Sequence, residues 1–347
     1  MALWHWARSR LFGGPLNSLL TIAVLFLLAR GLAAFVDWAV VRASLTAANA
    51  RQCEAAGGAC WAFIIDWLRF ILFGRYPYAE QWRPALVLAI FVALLLVSFA
   101  RLLPARMLAA VWIIGLAVVL LLMHGGVFGM PVVETEFWNG LPLTLILAVG
   151  GLGAGFPPAL LLALGRRSQL PALRALSVAY IEVARGVPFI AWLFLGLIVL
   201  PLFLPPGVVI AKLWRAEVVF TLFIAAYLAE VVRGGLQAIP RGQYEAADAL
   251  GLGYLQRMRL VVLPQALSLT IPAQVNTFIG AFKDTTLISI IGLFDPLQDV
   301  NTALNDPAWR LAYVEGYVFI AALYFAFCYL MSLYSRRLER RLAPARR

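Results

Sequence analysis

The chain has 347 residues, of which 63% are hydrophobic and 13% are charged, and its formal net charge is +11. Soluble domains are about 45 to 50% apolar and about 25% charged, so this composition excludes a soluble protein. A membrane span needs about 20 apolar residues, which leaves room for about eight spans and the loops between them. A basic surface against anionic lipid headgroups accounts for the net charge, so we expect a lipid bilayer and no nucleic acid as partner.

Apolar runs predict an all-α fold, a polytopic transmembrane bundle of about eight spans. Taken in chain order, the predicted spans are 16–36, 85–103, 107–128, 141–164, 178–204, 217–237, 268–291 and 313–334. The first run contains Arg30 and lacks a cleavage site of small residues, so we expect it to be retained as a span.

The distribution of Lys and Arg indicates the orientation. With both termini inside, seventeen of the 28 basic residues lie in cytoplasmic segments and eight lie in outer loops, while Arg30, Arg185 and Lys283 fall within spans. Short loops that are rich in basic residues stay in the cytoplasm. The sequence therefore predicts an N-in, C-in topology.

The character of the chain changes near residue 130. We predict an N-terminal extension over 1–130 with three spans and a long periplasmic loop at 37–83, a five-span core over 131–335, and a basic cytoplasmic tail at 336–347. Within the long loop, residues 61–73 are too short to span and carry two charges, which leaves an interfacial helix and a short buried helix open. Cys53 and Cys60 lie in the same loop, on the oxidising side, where a disulfide between them is possible.

Several chemistries are excluded by what the sequence lacks. A phosphate-binding P-loop needs a Lys followed by Ser or Thr, but Lys212 precedes Leu213 and Lys283 precedes Asp284. The chain therefore cannot be its own ATPase, and we expect no catalytic residue in it. The two histidines, His5 and His124, have no ligand clusters near them, so no metal site is expected. Four glycines between Gly150 and Gly155 fall inside an apolar run, which favours close helix packing over nucleotide binding.

A polar loop at 238–264 lies between two predicted spans and must contact water. Pro240 suits the first turn of a short helix, and Gly251 ends that helix because glycine accepts the left-handed conformation. We expect a second helix from Tyr254 to about Leu263, stopped by Pro264. In the first helix the small Ala246 and Ala247 leave the backbone open to a partner, and Glu245 supplies a charge. The pattern predicts a helix, an elbow and a helix; a solvated connector that touches nothing is the alternative.

The spacing of this loop resembles the EAA pattern in the cytoplasmic coupling loop of ATP-binding-cassette (ABC) import permeases. Glu245, Ala246 and Ala247 are followed after three residues by Gly251, and later by Val261, Leu263 and Pro264. Two longer segments are similar to permeases for polar amino acids of the histidine, glutamine and arginine importer family. The first is residues 226–295, which begin with AYLAEVVRGG and end with LISIIGLFD, and the second is residues 180–194, YIEVARGVPFIAWLF. Val187 departs from that family, which commonly has a polar or small residue there. The additional spans resemble the larger, M-type membrane subunit of general L-amino-acid uptake systems.

This resemblance implies a type I ABC importer permease core in the bacterial inner membrane. It implies three kinds of partner: a second permease subunit, two ATPase subunits and a periplasmic amino-acid-binding protein. The N-terminal extension suggests that the second permease subunit is a related heteromeric partner. ATP and Mg would be bound by the ATPase, with no cofactor in this chain. The residues implied in ATPase coupling are Glu245, Ala246, Ala247, Gly251 and Pro264.

Charged and polar residues inside spans are candidates for a path for an L-amino acid, because they are costly there unless they are paired or line a polar cavity. These candidates are Glu230, Asn276, Lys283, Asp284, Thr285 and Thr286. Glu230 is equally placed to pair with Arg233, three residues on, and Glu182 is placed to pair with Arg185. The residues near 283 alternatively connect their span to its neighbours.

Two other classes of membrane protein remain as alternatives. A gradient-driven secondary transporter of small polar solutes would have intramembrane charges but no use for the loop at 238–264, and the two halves of the chain show no clear repeat. A membrane anchor of a redox complex would need His and Cys ligands that the sequence lacks.

Overall fold

The computed structural model describes residues 2–100 and 103–342. Arg101 and the end of the predicted basic tail, 343–347, lie outside the described residues. In the part described, the fold consists of helices, with one isolated β-bridge between Ser44 and Cys60. The α-helices are α1 (Ala2–Leu11), α2 (Pro15–Val36), α3 (Ala50–Ala56), α4 (Trp61–Phe73), α5 (Trp82–Ala100), α6 (Ala105–His124), α7 (Gly140–Arg166), α8 (Pro171–Gly186), α9 (Phe189–Phe194), α10 (Leu200–Leu202), α11 (Lys212–Gln237), α12 (Arg241–Ala249), α13 (Tyr254–Arg257), α14 (Leu263–Leu269), α15 (Ile271–Asp284), α16 (Pro296–Ala303) and α17 (Tyr313–Leu342).

In the described ranges, three π-helical and three 3₁₀ segments extend or connect these helices. The π-helical segments are Asp37–Val41, Leu195–Val199 and Met258–Val262. The 3₁₀ segments are Tyr78–Glu80, Thr135–Phe137 and Thr285–Ile291.

Six helical stretches of the described chain are long and apolar enough to cross a membrane, and two bent helix pairs raise the number to as many as eight. The six are Pro15–Val41, Tyr78–Ala100, Arg106–His124, Gly140–Arg166, Lys212–Gln237 and Tyr313–Arg340. The prediction of a helical polytopic protein with about eight spans is confirmed.

The predicted span 178–204 is not one straight helix. Pro171–Gly186 and Phe189–Leu202 meet at an angle of 105°. Val187 adopts an extended backbone, with φ −102° and ψ 131°, because the ring of the following Pro188 disfavours the helical conformation at the preceding residue. The break therefore comes directly from the local sequence.

The predicted span 268–291 is likewise the second half of a bent pair. Tyr254–Leu269 and Ile271–Ile291 meet at 59°. Pro272 stands in the first turn of α15, where its missing N–H leaves no gap in the helix. At the bend the hydroxyl of Thr270 donates to the carbonyl of Ala266 at 3.1 Å.

The structure divides into two compact units, and the smaller one comprises Met1–Leu68 with Thr302–Phe319. Within it, the Cys53 and Cys60 sulfurs are joined in a disulfide, with their Cα atoms 5.3 Å apart. The backbone N–H of Cys60 donates to the carboxylate of Glu315 at 2.9 Å, and the rings of Phe63 and Trp309 lie 5.9 Å apart. Parts of the chain that are distant in sequence thus form one packed unit.

The larger unit comprises Arg69–Asn301 with Ile320–Arg347. Its centre is the contact between α7 and α11, where glycines allow close approach. A Cβ on Gly151 would lie 2.4 Å from the ring of Phe220, and one on Gly155 would lie 3.1 Å from the carbonyl of Thr221. Buried residues of α5 and α6, including Phe91 and Val119, belong to the same apolar core. By packing, α5 and α6 therefore group with the helices after residue 130. The division at residue 130 is a prediction from the change in composition along the sequence, not from packing.

Helix α4 covers the 61–73 segment and is amphipathic. Phe63 and Ile71 are fully buried, whereas Ile65 and Asp66 are exposed. Arg69 donates from Nε to Gln81 Oε1 at 3.0 Å. One face of α4 is thus packed against protein, and whether the other lies at the membrane surface stays a prediction.

Candidate functional site

The loop at 238–264, which we call the docking loop, contains two helices joined by a tight turn. Pro240 has an extended backbone and immediately precedes α12 instead of standing inside its first turn. Gly251 follows α12 with φ +73°, in the left-handed region. Its N–H donates to the carbonyl of Asp248 at 2.9 Å, and the N–H of Leu252 donates to that of Ala247 at 3.1 Å. This turn satisfies the last carbonyls of α12, as glycine turns at helix ends commonly do.

The two helices of the docking loop are held to each other by side chains. Arg257 in α13 forms an ion pair with Asp248 in α12. Its guanidinium also lies over the rings of Tyr244 and Tyr254, at 5.7 and 5.9 Å from their centroids. These contacts hold α12 and α13 against each other at the elbow.

The outer surface of the docking loop carries two exposed leucines in addition to polar residues. Glu245 and Ala246 are exposed. Leu250 and Leu255 are 79% and 80% exposed, although leucine normally lies inside a fold. Ala247 differs from expectation because it is 2% exposed and packs inward. The exposed leucines were visible in the sequence as apolar residues in a polar loop.

The prediction that Pro264 stops the second helix is wrong. The π-helical turn Met258–Val262 precedes it, and Pro264 lies in the first turn of α14, which continues to Leu269. In that wide turn the N–H of Leu263 donates to the carbonyl of Met258. A proline has no N–H to donate to the residue four before it, and π turns relieve such a gap in a helix.

Hydrogen bonds tie the docking loop to three apolar helices. Arg167, just after α7, donates to the carbonyl of Leu236 at 2.8 Å and to the hydroxyl of Tyr244 at 3.3 Å. Gln265 in α14 donates to the side-chain oxygen of Gln243 in α12 at 2.9 Å. Displacement of α12 would thus act directly on the ends of α7 and α11 and on α14.

A cluster of four charged residues lies next to these contacts and joins α7, α8 and α11. The guanidinium of Arg166 lies 2.8 Å from Oε1 of Glu182, through Nη2, and 3.3 Å from Oε2 of Glu230, through Nη1. Glu230 also accepts from Nε of Arg233 at 2.9 Å. The internal pair of Glu230 and Arg233 is therefore present, while Glu182 pairs with Arg166 instead of Arg185.

Arg185 has an aromatic neighbour. Its guanidinium lies 5.6 Å from the ring centroid of Tyr227 in α11. The expected pairing of Glu182 with Arg185 failed because Arg166, which is distant in sequence, reaches Glu182.

The other candidate path residues lie along α15 and the 3₁₀ segment that follows it. Asn276 and Lys283 are both exposed, and their separation of seven positions, about two helical turns, places them on one helix face. Asp284 is half-buried. The hydroxyls of Thr285 and Thr286 donate to the carbonyls of Phe282 and Lys283, at 2.7 and 2.9 Å. The threonine hydroxyls are thus used within their own turn.

Glu217 is an ionisable residue within the membrane-spanning helix α11 and is not one of the candidate path residues named above. It lies half-buried in α11 beside Gly150 of α7, and its Oε2 atom is buried without a hydrogen-bond partner. The signal was its position at the first residue of the predicted span 217–237. Within the described residues there is no group of three or more His, Cys, Asp or Glu placed to hold a metal ion.

Residues 155–344 match the family model described as "Binding-protein-dependent transport system inner membrane component". The chain is 47% identical over 343 residues to the inner membrane amino-acid ABC transporter permease protein YhdY of Escherichia coli K12, covering 98% of this chain and 93% of that protein. It is 37% identical to the glutamate/glutamine/aspartate/asparagine transport system permease protein BztC of Rhodobacter capsulatus, with 97% and 93% covered.

A solved structure is also similar. It is titled "Crystal structure of an amino acid ABC transporter with histidines" and aligns with a TM-score of 0.52 and 33% identity, over 58% of this chain and 92% of the other. The family match contains the docking loop and the charge cluster at Glu182 and Glu230. The chain belongs to the family of inner-membrane components of binding-protein-dependent transport systems.

Proposed function

We propose that this chain is one permease subunit of an ATP-driven ABC importer for L-amino acids. It forms part of the substrate path and couples to a separate ATPase through the docking loop. The observation that carries the proposal is the exposed elbow of α12 and α13, with Glu245, Ala246 and Leu250 on its surface. Relatives that share most of this chain are amino-acid permeases by name, which supports the substrate class.

The proposal includes the other parts of such an importer. Two ATPase subunits bind ATP and Mg, a periplasmic binding protein delivers the amino acid, and a second, related permease subunit completes the path. The protein is multi-pass, with both termini in the cytoplasm, since that orientation places the docking loop and most basic residues inside. The chain itself supplies no nucleotide site, because neither of its lysines completes a P-loop.

The contacts of the docking loop support a coupling route. Closure of the ATPase dimer displaces α12, and the bonds of Arg167 pass this displacement to the ends of α7 and α11. The cluster of Arg166, Glu182 and Glu230 then makes α7, α8 and α11 move together. Glu230 acts in this route as a structural ion-pair partner, since both of its oxygens already have arginine partners.

For the substrate path we propose the exposed face of α15. Asn276 and Lys283 lie on this face, and Asp284 lies beside it. A zwitterionic amino acid needs a cation for its carboxylate and an anion for its ammonium group. Among the described residues, no ion pair within 4.0 Å involves Lys283 or Asp284, so both charges are available to a substrate. Thr285 and Thr286 contribute by shaping the turn that follows.

A pair of cysteine variants tests the docking. In the complex with its ATPase, Ala246→Cys is expected to crosslink efficiently to the ATPase, because residue 246 is exposed. The matched control is Ala247→Cys, one residue on in the same helix, which is expected to crosslink poorly because residue 247 is buried. Equal crosslinking from both positions, or none from residue 246, would refute the described docking surface.

Uptake in proteoliposomes tests the energy source. We expect accumulation of an amino acid to require the binding protein and ATP and to persist when ion gradients are dissipated. Uptake that follows an ion gradient and ignores ATP would show a secondary transporter instead.

A further inference from the structure

A basic cavity lies between the end of α5 and the C-terminal part of α17, and its lining residues come from these two helices. It has a volume of about 510 Å³ and is lined by Phe99, Leu333, Arg336, Arg337 and Arg340. Phe99 lies at the end of α5, and the other four residues lie on α17. We propose that this cavity binds an anionic phospholipid, with the lipid phosphate on the arginines and the start of its acyl chains against Phe99 and Leu333.

The spacing of the lining residues on α17 places them on one face. Residues three and four apart are neighbours on a helix surface, so Leu333, Arg336, Arg337 and Arg340 form one continuous stripe. The stripe changes from apolar to cationic along the helix axis. A phospholipid has the same order of chemistry, with hydrocarbon followed by a phosphate.

The arginines of the cavity are free to bind an external anion. The ion pairs of the described residues include none of Arg336, Arg337 or Arg340. The nearby acid, Glu339, is not among the lining residues and accepts instead from the hydroxyl of Ser335 at 2.7 Å. Guanidinium groups bind phosphate oxygens through paired hydrogen bonds, so this residue type suits a phosphate ligand.

The position of the cavity selects a lipid over a soluble anion. The membrane-spanning stretches that contain Phe99 and Leu333 end at Ala100 and Arg340. The rings of Phe99 and Tyr334 lie 5.0 Å apart in an edge arrangement, which holds α5 against α17 at this depth. The arginines therefore lie at the level of the headgroups, where basic pockets between membrane helices bind anionic lipids.

The test compares lipid binding to the full chain in its complex, after lipid is removed in a neutral detergent. Native mass spectrometry measures binding of added phosphatidylglycerol and of phosphatidylcholine to the wild type and to the triple variant Arg336→Gln, Arg337→Gln and Arg340→Gln. Each arginine near an anionic surface contributes about a factor of five, so we expect the triple variant to bind phosphatidylglycerol about 100-fold more weakly.

A matched control removes the same charge elsewhere. The triple variant Arg8→Gln, Arg10→Gln and Arg174→Gln changes three exposed arginines that do not line the cavity, and we expect its affinity to stay within about twofold of wild type. If the cavity variant proves unstable, the single Arg337→Gln change is expected to weaken binding about fivefold.

Three outcomes would overturn the proposal. In the first, the cavity variants bind phosphatidylglycerol as tightly as the control does. In the second, the wild type binds phosphatidylcholine as tightly as phosphatidylglycerol. In the third, inorganic phosphate at equal concentration displaces phosphatidylglycerol. The last result would assign the cavity to a soluble anion.

Discussion

A buried carboxyl group in the larger unit makes the stability of the protein depend on pH. Asp299 in α16 is 0% exposed, and neither of its carboxyl oxygens has a hydrogen-bond partner. It packs beside Gly74, where a Cβ would lie 2.9 Å from Oδ2. Burial, and secondly the negative charge of Asp295, raise the pKa of Asp299 from 3.8 to about 9, against the opposing charge of Arg75.

The groups around Asp299 do not neutralise it. Asp295 is also fully buried and accepts from the hydroxyl of Tyr324 at 2.8 Å and from the N–H of Gln298 at 3.0 Å. Burial raises the pKa of Asp295 as well, although these hydrogen bonds oppose the shift. The guanidinium of Arg75 lies over the ring of Phe294, 4.4 Å from its centroid. Asp299 is therefore protonated in the folded protein at neutral pH.

The sign of the pH dependence follows from this raised pKa. The stabilising contribution of protonated Asp299 is fully present below about pH 4 and is lost as the pH rises towards 9, because the unfolded chain releases the proton first. Each pH unit in this window costs about 1.4 kcal/mol, so at pH 7 the folded state has lost at most about 4 kcal/mol. Asp299→Asn keeps the shape of the neutral carboxylic acid and removes this loss.

Thermal unfolding of the purified protein in detergent, from pH 5 to 9, measures the effect. We expect Asp299→Asn to be more stable than wild type at pH 7 and 8, with a difference that grows with pH. The control Asp66→Asn makes the same chemical change at an exposed position, and its effect on stability should be small. An Asp299→Asn effect that is constant with pH, or a variant that is less stable than wild type at pH 8, would refute the reasoning.

Three further predictions concern the turn of the docking loop, a buried arginine and the disulfide. Gly251→Ala forces a side chain into φ +73°, which costs about 1 to 2 kcal/mol and should reduce ATP-coupled uptake. The control Gly253→Ala, at φ −64°, should transport as the wild type does, and an equal loss of uptake in both variants would contradict the role of the turn. The guanidinium of Arg83 is fully buried and donates to the carbonyls of Leu122, Pro131 and Met123. Chemical unfolding of Arg83→Met should show that the free energy of unfolding falls by about 3 kcal/mol, whereas Arg51→Met, at an exposed position, should change it almost not at all. A thiol reagent should label only Cys328 in the denatured, unreduced chain and all 3 cysteines after reduction; three labels without reduction would contradict a bridge between Cys53 and Cys60.

Local features of the sequence predicted the helical class, the number of spans and the turn of the docking loop. Apolar runs suffice for spans because the cost of placing a segment in lipid is mainly a sum over its own residues. Gly251 indicated the left-handed turn because the backbone requirement lies at one residue. Apolar runs alone do not predict the bends before Phe189 and Ile271, although Pro188 and Pro272 stand at these breaks.

Tertiary structure decided which charges are paired and which side chains are exposed. Arg166 reaches Glu182 and Glu230 because packing of α7 against α8 and α11 brings together residues that are distant in the chain. The same packing buries Ala247 and leaves its neighbour Ala246 exposed, a difference that two identical residue types cannot show by themselves. Secondary structure and span number follow from contributions that add along the chain, whereas ion pairing and burial depend on long-range contacts that only the folded chain creates.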